Sequence, residues 1–444
     1  MDILLPDNTI RILDRLEEAG FDSWVVGGAV RDLLLRRPAH DYDIATAARP
    51  KQVALIFPDA TVGLGERFGT LGVFSDEALV EVTTFRSEGR YTDYRHPDEL
   101  EFAERIEDDL ARRDFTINAL AYHPDRGLLD LFGGADDLHA RMIRCVGGAD
   151  ERFAEDPLRI LRAWRFAAQL GFTLEPATCA ATIRQAPLLA HISAERVRDE
   201  FCKLLLADPY ILQTMPREVL DQFLPELVTA FDTPQNTPYH QYSVGGHSIV
   251  ACLLTPPELR VRLATLFHDI GKPRARFHRE DGIDHFYEHP KYSAEITRDL
   301  MGRLKFSRQL TDEVCALVLQ HDRQVGSSDA SIRRAVASVG EELFDDLLQL
   351  KYADAGSVAE QYREARLAAV AEIERRYREL REAEQLVCST QQLAACGRDL
   401  IELGMQPGPA MGQLLKTLLE EVIEDPALNT REALLARASE LLEQ

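Results

Sequence analysis

The 444-residue chain is short of several things that would have named its class at once. Its seven cysteines are scattered without a Cys-x-x-Cys pair, so neither a disulfide framework nor a cysteine zinc site is expected. Every long apolar stretch is interrupted by Arg, Asp or Glu, so no segment is expected to span a bilayer. The opening MDILLPDNTIRILDRL has no apolar run of signal-peptide length, and a reduced cytoplasmic setting is expected. There is no internal repeat and no low-complexity tract. Positive charge is also scarce: 51 Lys and Arg stand against 74 Asp and Glu, a net charge of −23. Phosphate backbones favour basic surfaces, so this balance argues against a non-specific nucleic-acid binder. It leaves room for an RNA enzyme whose arginines are gathered along one face.

What is present is a change of pattern along the chain. Residues 9–20 read as an amphipathic helix, with Ile10, Leu13 and Leu16 at helical spacing and Gly20 as the stop. A short strand, Ser23 to Val26, ends in Gly27-Gly28, a helix opens over Ala29 to Leu35, and His40 to Ala45 alternates as a strand. Further strands are expected at Val73–Phe74 and Leu79–Phe85. From about Ala135 the pattern is almost entirely helical. It is broken by a Pro-rich linker at Asp232 to Pro238 and by a Gly/Pro break at Gly404 to Pro409, with a charged helix at Ala359 to Gln385 between them. The expected architecture is an α+β head, a mixed sheet with helices over 1–135, on a long all-α remainder. That remainder divides into a neck and body over 136–238, a histidine-bearing block over 239–356 and a helical tail over 357–444.

The head places Gly27-Gly28, Arg31 and Asp41-Tyr42-Asp43 within a short span. Glycines let backbone amides approach a phosphate closely at a helix start, and Arg31 adds a fixed charge there. Carboxylates two residues apart on a strand share a face, so Asp41 and Asp43 can ligate a common hard cation. A plain turn and a solvated strand end are the alternatives for each feature taken singly.

The run Val26-Gly27-Gly28-Ala29-Val30-Arg31-Asp32 followed by Asp41-Tyr42-Asp43 closely resembles the head of class II CCA-adding tRNA nucleotidyltransferases and bacterial poly(A) polymerases. The resemblance continues through Arg112-Arg113-Asp114-Phe115-Thr116-Ile117-Asn118-Ala119 and Asp130-Leu131-Phe132-Gly133-Gly134. It extends to Glu155-Asp156-Pro157-Leu158-Arg159-Ile160-Leu161-Arg162 and Glu195-Arg196-Val197-Arg198-Asp199-Glu200, covering roughly residues 24–205. It implies a DNA-polymerase-β-like head in which Asp41 and Asp43 hold two Mg²⁺ ions that activate an RNA 3′ hydroxyl and stabilise departing pyrophosphate. Gly28, Arg31 and Arg113 would hold the triphosphate, and Glu81 stands where related polymerases place a third carboxylate.

Asp156, Arg159 and Arg162 recur at three-residue spacing and so share one side of a helix. An Asp and an Arg together offer acceptors and a planar donor fork, enough to pair with a base edge. Asp156 also precedes Pro157, as a helix N-cap does, so capping, base reading or both remain open. The resemblance assigns base reading of CTP and ATP to Asp156 and Arg159, with Arg162 and Arg165 lining the nucleotide pocket and tRNA as the acceptor. Glu195 to Glu200 reads as a brace for the helix and its arginines. The stretch Arg90 to Pro97 resembles a loop kept by enzymes that complete CCA, and the acidic chain end is unlike the basic extension of poly(A) polymerases. CCA addition is therefore favoured over A-only addition or poly(A) synthesis.

The second block carries His247, His268-Asp269, His289, His321 and Asp354. Imidazole and carboxylate ligands suit a divalent transition metal with positions left for water and phosphate; satisfied core histidines are the alternative. The order resembles the HD phosphohydrolase family, whose core set would be His247, His268, Asp269 and Asp354, with His289 and His321 as the extra ligands of two-metal members. This resemblance implies hydrolysis of phosphomonoesters or cyclic phosphates. It also opens a reading of another class, a phosphohydrolase with a vestigial head; an RNA-binding protein without catalysis is a third. Residues 359–444 are expected, by analogy alone, to bind or measure the body of tRNA. The oligomeric state is left open.

Overall fold

The computed structural model describes residues 4–39, 41–58, 60–65, 69–75, 78–87, 101–280 and 282–443. The chain forms two compact units, Met1–Phe223 and Leu224–Gln444.

The first unit is built on a seven-stranded sheet. Its strands are β1 (Ser23–Val26), β2 (Asp43–Thr46), β3 (Thr61–Gly65), β4 (Thr70–Ser75), β5 (Ala78–Thr84), β6 (Leu120–His123) and β7 (Gly127–Asp130), in the order β3-β4-β5-β2-β1-β6-β7. β2 and β5 pair in parallel and the other neighbours antiparallel, which makes the sheet mixed as expected. The β1 sequence Ser-Trp-Val-Val is bulky and β-branched, and all four residues are buried, so a central strand follows. Trp24, Val26, Ala45, Phe85, Ile106, Leu110 and Ala121 form one core cluster of this unit.

The strand expected over His40 to Ala45 begins only at Asp43, with His40 outside the described residues. Pairing with β1 starts at Val26↔Asp43, which leaves Asp41 exposed just ahead of the strand rather than within it. The first helix runs Asp7–Glu18, and the helix after the glycines runs Gly28–Leu34.

Helices Ala149–Glu155, Leu158–Leu170, Pro176–Gln185 and Ala194–Ala207 complete the first unit. Leu158–Leu170 buries Ile160, Leu161, Ala163, Trp164, Phe166 and Ala167 and stops at Gly171, whose φ of 68° suits a left-handed helix end. The second unit is helical, with Val244–Leu253, Leu259–Phe267, His289–Arg303, Arg308–Gln320 and Glu341–Ser357 carrying the histidine block. The charged segment forms Glu360–Glu382. Leu400, Leu418, Val422, Leu434 and Ala438 give the chain's end a core of its own.

The region beyond Ala135 is not helical throughout. A parallel pair, β8 (Met142–Ile143) with β9 (Thr173–Leu174), lies in the first unit. An antiparallel hairpin, β10 (Arg276–His278) with β11 (Asp284–Phe286), interrupts the second. Both are too short for a period-2 pattern to register against helical surroundings.

Candidate functional sites

Strand register brings the head motifs together. Val26 on β1 faces Asp43 on β2, and Asp43 in turn faces Glu81 on β5. Three strands thus reach the same level beside Gly27, where the chain turns into a helix with φ of 74°. The positive φ at Gly27 favours glycine, and a side chain there would also press on Arg113 Nη1 at 2.9 Å. Burial raises the Asp43 carboxyl, Glu81 and Asp41 add to this, and Arg113 opposes them, leaving it at about 6. Crowded carboxylates of this kind are short of positive charge, and a divalent cation supplies it.

These residues line a cavity of about 680 Å³ that also takes in Gly28, Arg31, Arg113, Asp156, Arg159 and Arg162. The arginines are held before any nucleotide arrives. Arg31 Nη1 donates to Asn118 Oδ1 at 2.8 Å, and Arg113 Nη2 donates to Asp109 at 2.9 Å. Arg159 Nη1 donates to Glu155 at 2.6 Å and its Nη2 to the Arg112 carbonyl at 3.1 Å. Arg162 Nε donates to Asp114 at 2.8 Å. Burial pushes the Asp114 carboxyl up, but Arg162, Asn118 and Arg159 more than offset this and hold it at about 2.

Asp156 uses both oxygens. The Leu158 N–H donates to Oδ1 at 3.1 Å, the capping bond, while Arg196 Nη2 donates to Oδ2 at 2.8 Å. Arg165 stands apart from the cavity wall: it pairs with Glu200 at 2.5 Å and lies over the Phe166 ring. Each three-residue step on a helix falls about 60° short of a full turn, so the third arginine has rotated away from the first. The Glu200 contact matches the bracing expected of the Glu195 to Glu200 block. Arg196, Asp114, Asn118 and Asp109 had no assigned part. For the first three the signal was present as charges and an amide inside blocks already singled out, but their partners Asp156, Arg162 and Arg31 lie 40, 48 and 87 residues away; Asp109 lies outside those blocks.

In the second unit all six expected ligands converge. His268, His289 and His321 each donate Nδ1–H to a backbone carbonyl, of Thr265, Phe286 and Val318, at 2.7–2.8 Å. Their Nε2 atoms turn inward, at 3.2, 3.2 and 3.5 Å from the Asp269 carboxylate. His247 Nε2 lies 3.0 Å from Asp354 and 3.7 Å from Asp269. His289 Nε2 and His321 Nε2 face each other at 3.2 Å. With both Nδ1 atoms protonated these are two lone pairs, an arrangement that calls for a proton or a cation between them. His268 Nε2 and Asp269 Oδ1 are buried without a hydrogen-bond partner among the described residues. Burial pushes His321 down. It opposes protonation of His268 too, but Asp269 and Asp354 outweigh it and raise that group. Lys272 Nζ, 2.6 Å from Asp269, is a cation that sequence reading left without a role.

Comparison with known proteins places these units. The Poly A polymerase head domain model matches residues 23–144, and a model described as a probable RNA and SrmB-binding site of polymerase A matches 171–230. A putative second domain of tRNA nucleotidyltransferase matches 280–438, a span that includes His289, His321 and Asp354. A CCA-adding enzyme of Limosilactobacillus fermentum is 34% identical over 436 residues, 97% of this chain and 96% of that one. Another, from Geobacillus stearothermophilus, is 47% identical over 219 residues, 49% of this chain and 54% of that one. Among solved structures, a Bacillus stearothermophilus CCA-adding enzyme in complex with CTP aligns with a TM-score of 0.73 and 29% identity, covering 99% and 98% of the two chains. A Thermotoga maritima CCA-adding enzyme complexed with tRNA shares the fold at a TM-score of 0.59 and 20% identity, over 99% and 97%.

Proposed function

The chain belongs to the CCA-adding enzymes, and from that premise we propose how its own residues divide the work of the reaction. The protein is a nucleotidyltransferase that adds C, C and A to the 3′ end of tRNA from CTP and ATP, with a divalent metal in the transferase site. The alignment of Glu81 and Asp43 at one level of the sheet, beside a cavity walled by paired arginines, is the observation that carries the assignment of roles.

Asp41 and Asp43 are the metal carboxylates, with Glu81 as the third. These carboxylates would hold Mg²⁺, which would supply activation of the RNA 3′ oxygen and neutralisation of charge on the triphosphate. Gly28 admits the triphosphate to the backbone, and Arg31 and Arg113, braced by Asn118 and Asp109, present fixed charge to it. Asp156 and Arg159 read the incoming base, while Arg162 fixes the wall of the pocket through Asp114. Arg165 supports this set through Glu200 rather than by touching nucleotide. The domain limits follow the same division: head 1–135, neck and body 136–238, histidine block 239–356 and tail 357–444. No helix among the described residues is long and apolar enough to cross a membrane. The cytoplasm is the proposed setting because tRNA is the substrate.

A second activity is supported by the inward Nε2 atoms and the orphaned oxygen of Asp269. His247, His268, Asp269, His289, His321 and Asp354 hold a divalent transition metal, which would supply a polarised water for phosphoester hydrolysis. Lys272 holds one Asp269 oxygen and offers a charge to a phosphate.

The test incubates the protein with tRNA lacking its last three nucleotides, gives CTP and ATP separately and together, and sizes the product. Two additions with CTP alone and three with both are expected. Extension by A alone, or a long A tail, would remove this reading. The stretch Arg90 to Pro97, on which the preference for full CCA addition leaned in the sequence, lies outside the described residues.

A further inference from the structure

Two hydroxyls stand among the carboxylates and guanidinium groups of the first unit's cavity, those of Thr70 on β4 and Thr83 on β5. The two residues pair across the strands, and their Oγ1 atoms lie 3.0 Å apart. Strand alternation puts them there. Val80, Val82 and Thr84 of β5 are buried, Thr84 donating to the Ala48 carbonyl at 2.7 Å, so Glu81 and Thr83 share the opposite face. The third carboxylate and the hydroxyl pair are neighbours on one wall.

A cross-strand threonine pair often does no more than tie two strands. Here its hydrogens leave a remainder. Two hydroxyls carry two hydrogens, and the bond between them uses one. Neither has another partner among the described residues. One hydrogen, with lone pairs beside it, is left for what enters the cavity.

Position says what that is. In the sheet order β4-β5-β2-β1, Asp43 and Glu81 lie between two flanks: Gly27-Gly28 and Arg31 on one side, the threonine pair on the other. Displacement at phosphorus runs in line, so the attacking oxygen enters opposite the group that leaves. With pyrophosphate leaving along Gly28 and Arg31, the last sugar of the acceptor comes in on the flank of Thr70 and Thr83. That sugar carries the 3′ oxygen, which bonds to the α-phosphorus, and a 2′ hydroxyl beside it. A charged side chain would suit a phosphate; a group that both gives and takes a hydrogen suits a sugar hydroxyl.

We propose that Thr70 and Thr83 hold the 2′ hydroxyl of the acceptor's terminal nucleotide, which positions its 3′ oxygen and selects an RNA end over a DNA end. The inference rests on the side given to the triphosphate in the proposed division of work.

The test uses the full chain, ATP and two tRNAs that lack only the last nucleotide, one ending in cytidine and the other in 2′-deoxycytidine. The unaltered chain should prefer the ribose end about fivefold in kcat/KM, the size expected of one neutral hydrogen bond. Thr83→Val and Thr70→Val keep the branched shape without the hydroxyl. Each should lose about fivefold on the ribose end and fall no further on the deoxy end, so that the preference disappears. Thr83→Ser and Thr70→Ser should restore it. Equal losses on both tRNAs would make the pair a strand tie alone and overturn the inference. An unaltered chain that completes CCA but ignores the 2′ hydroxyl would overturn it too, with nucleotide addition left standing. If the valine variants instead lose the choice of ATP over 2′-deoxy ATP, the pair faces the incoming sugar, and the side given to the triphosphate falls as well. Failure of the unaltered chain to extend either tRNA would remove CCA addition and this inference together.

Discussion

The cavity of the first unit and the histidine centre of the second solve the storage of charge in opposite ways. In the cavity Arg31, Arg113, Arg159 and Arg162 each rest on a polar partner within 3.1 Å, so little charge is unspoken for before substrate arrives. In the histidine centre three ring nitrogens and a carboxylate are aimed at one another, and His268 Nε2 and Asp269 Oδ1 have no hydrogen-bond partner among the described residues. The first arrangement is preorganised for a ligand that is bound and released in every round of addition. The second leaves polar atoms facing one another, an arrangement that the proposed cation would complete. A site that must exchange nucleotides benefits from arginines whose geometry is fixed by neighbours rather than by substrate.

The largest expected effect breaks the pair apart. Asp43→Ala should cost about a thousandfold or more in nucleotide addition, since it removes a metal carboxylate, and leave phosphate release untouched. Asp269→Ala should do the reverse. Steady-state rates of both activities on the two variants decide it; a single substitution that lowers both equally would show that the centres are not separate machines.

Legibility followed the same division. The head was readable because Gly27-Gly28, Asp43 and Glu81 lie on or directly beside short strands and carry their chemistry as residue types, and β1 was located to the residue. The six histidine-centre ligands were readable one by one, because imidazole and carboxylate carry their chemistry with them. Geometry that depends on helix phase or on distant partners was not. Arg165 looked like a pocket residue until the accumulated rotation along its helix turned it to Glu200. Asp114 looked like part of a motif, and its tie to Arg162 spans 48 residues. The hairpin β10–β11 was hidden because three-residue strands leave no period to detect.

The Asp114–Arg162 pair sharpens the comparison as a matter of stability. Asp114 is held at about 2, below the ordinary 3.8, so its contribution is present above the unfolded-state value and is lost as pH falls from about 4 through about 2. A shift of this size corresponds to about 2 kcal/mol. Asp114→Asn should therefore lower the unfolding free energy of the first unit, measured by urea titration at pH 6, by that order and flatten its dependence between pH 4 and 2. An unchanged acid limb would show that another carboxylate, with Asp109 the first to examine, dominates there.

The smallest effect concerns selection of the base. Both oxygens of Asp156 are occupied without nucleotide, one by the Leu158 N–H and one by Arg196. A carboxylate oxygen can accept more than one bond, so the capping bond and the proposed base contact can coexist, with the oxygen now held by Arg196 the one free of the helix start. Arg196→Ala removes a partly buried ion pair, its side chains 23% and 18% exposed, so stability should move by about 1 kcal/mol. The freed carboxylate loses its orientation, and kcat/KM for CTP and ATP should fall by about tenfold while UTP and GTP fall less, because they gain nothing from a fixed Asp156. Equal losses for all four nucleotides would instead assign Arg196 to the triphosphate. That outcome would move it from the base-reading end of the cavity to the company of Arg31 and Arg113.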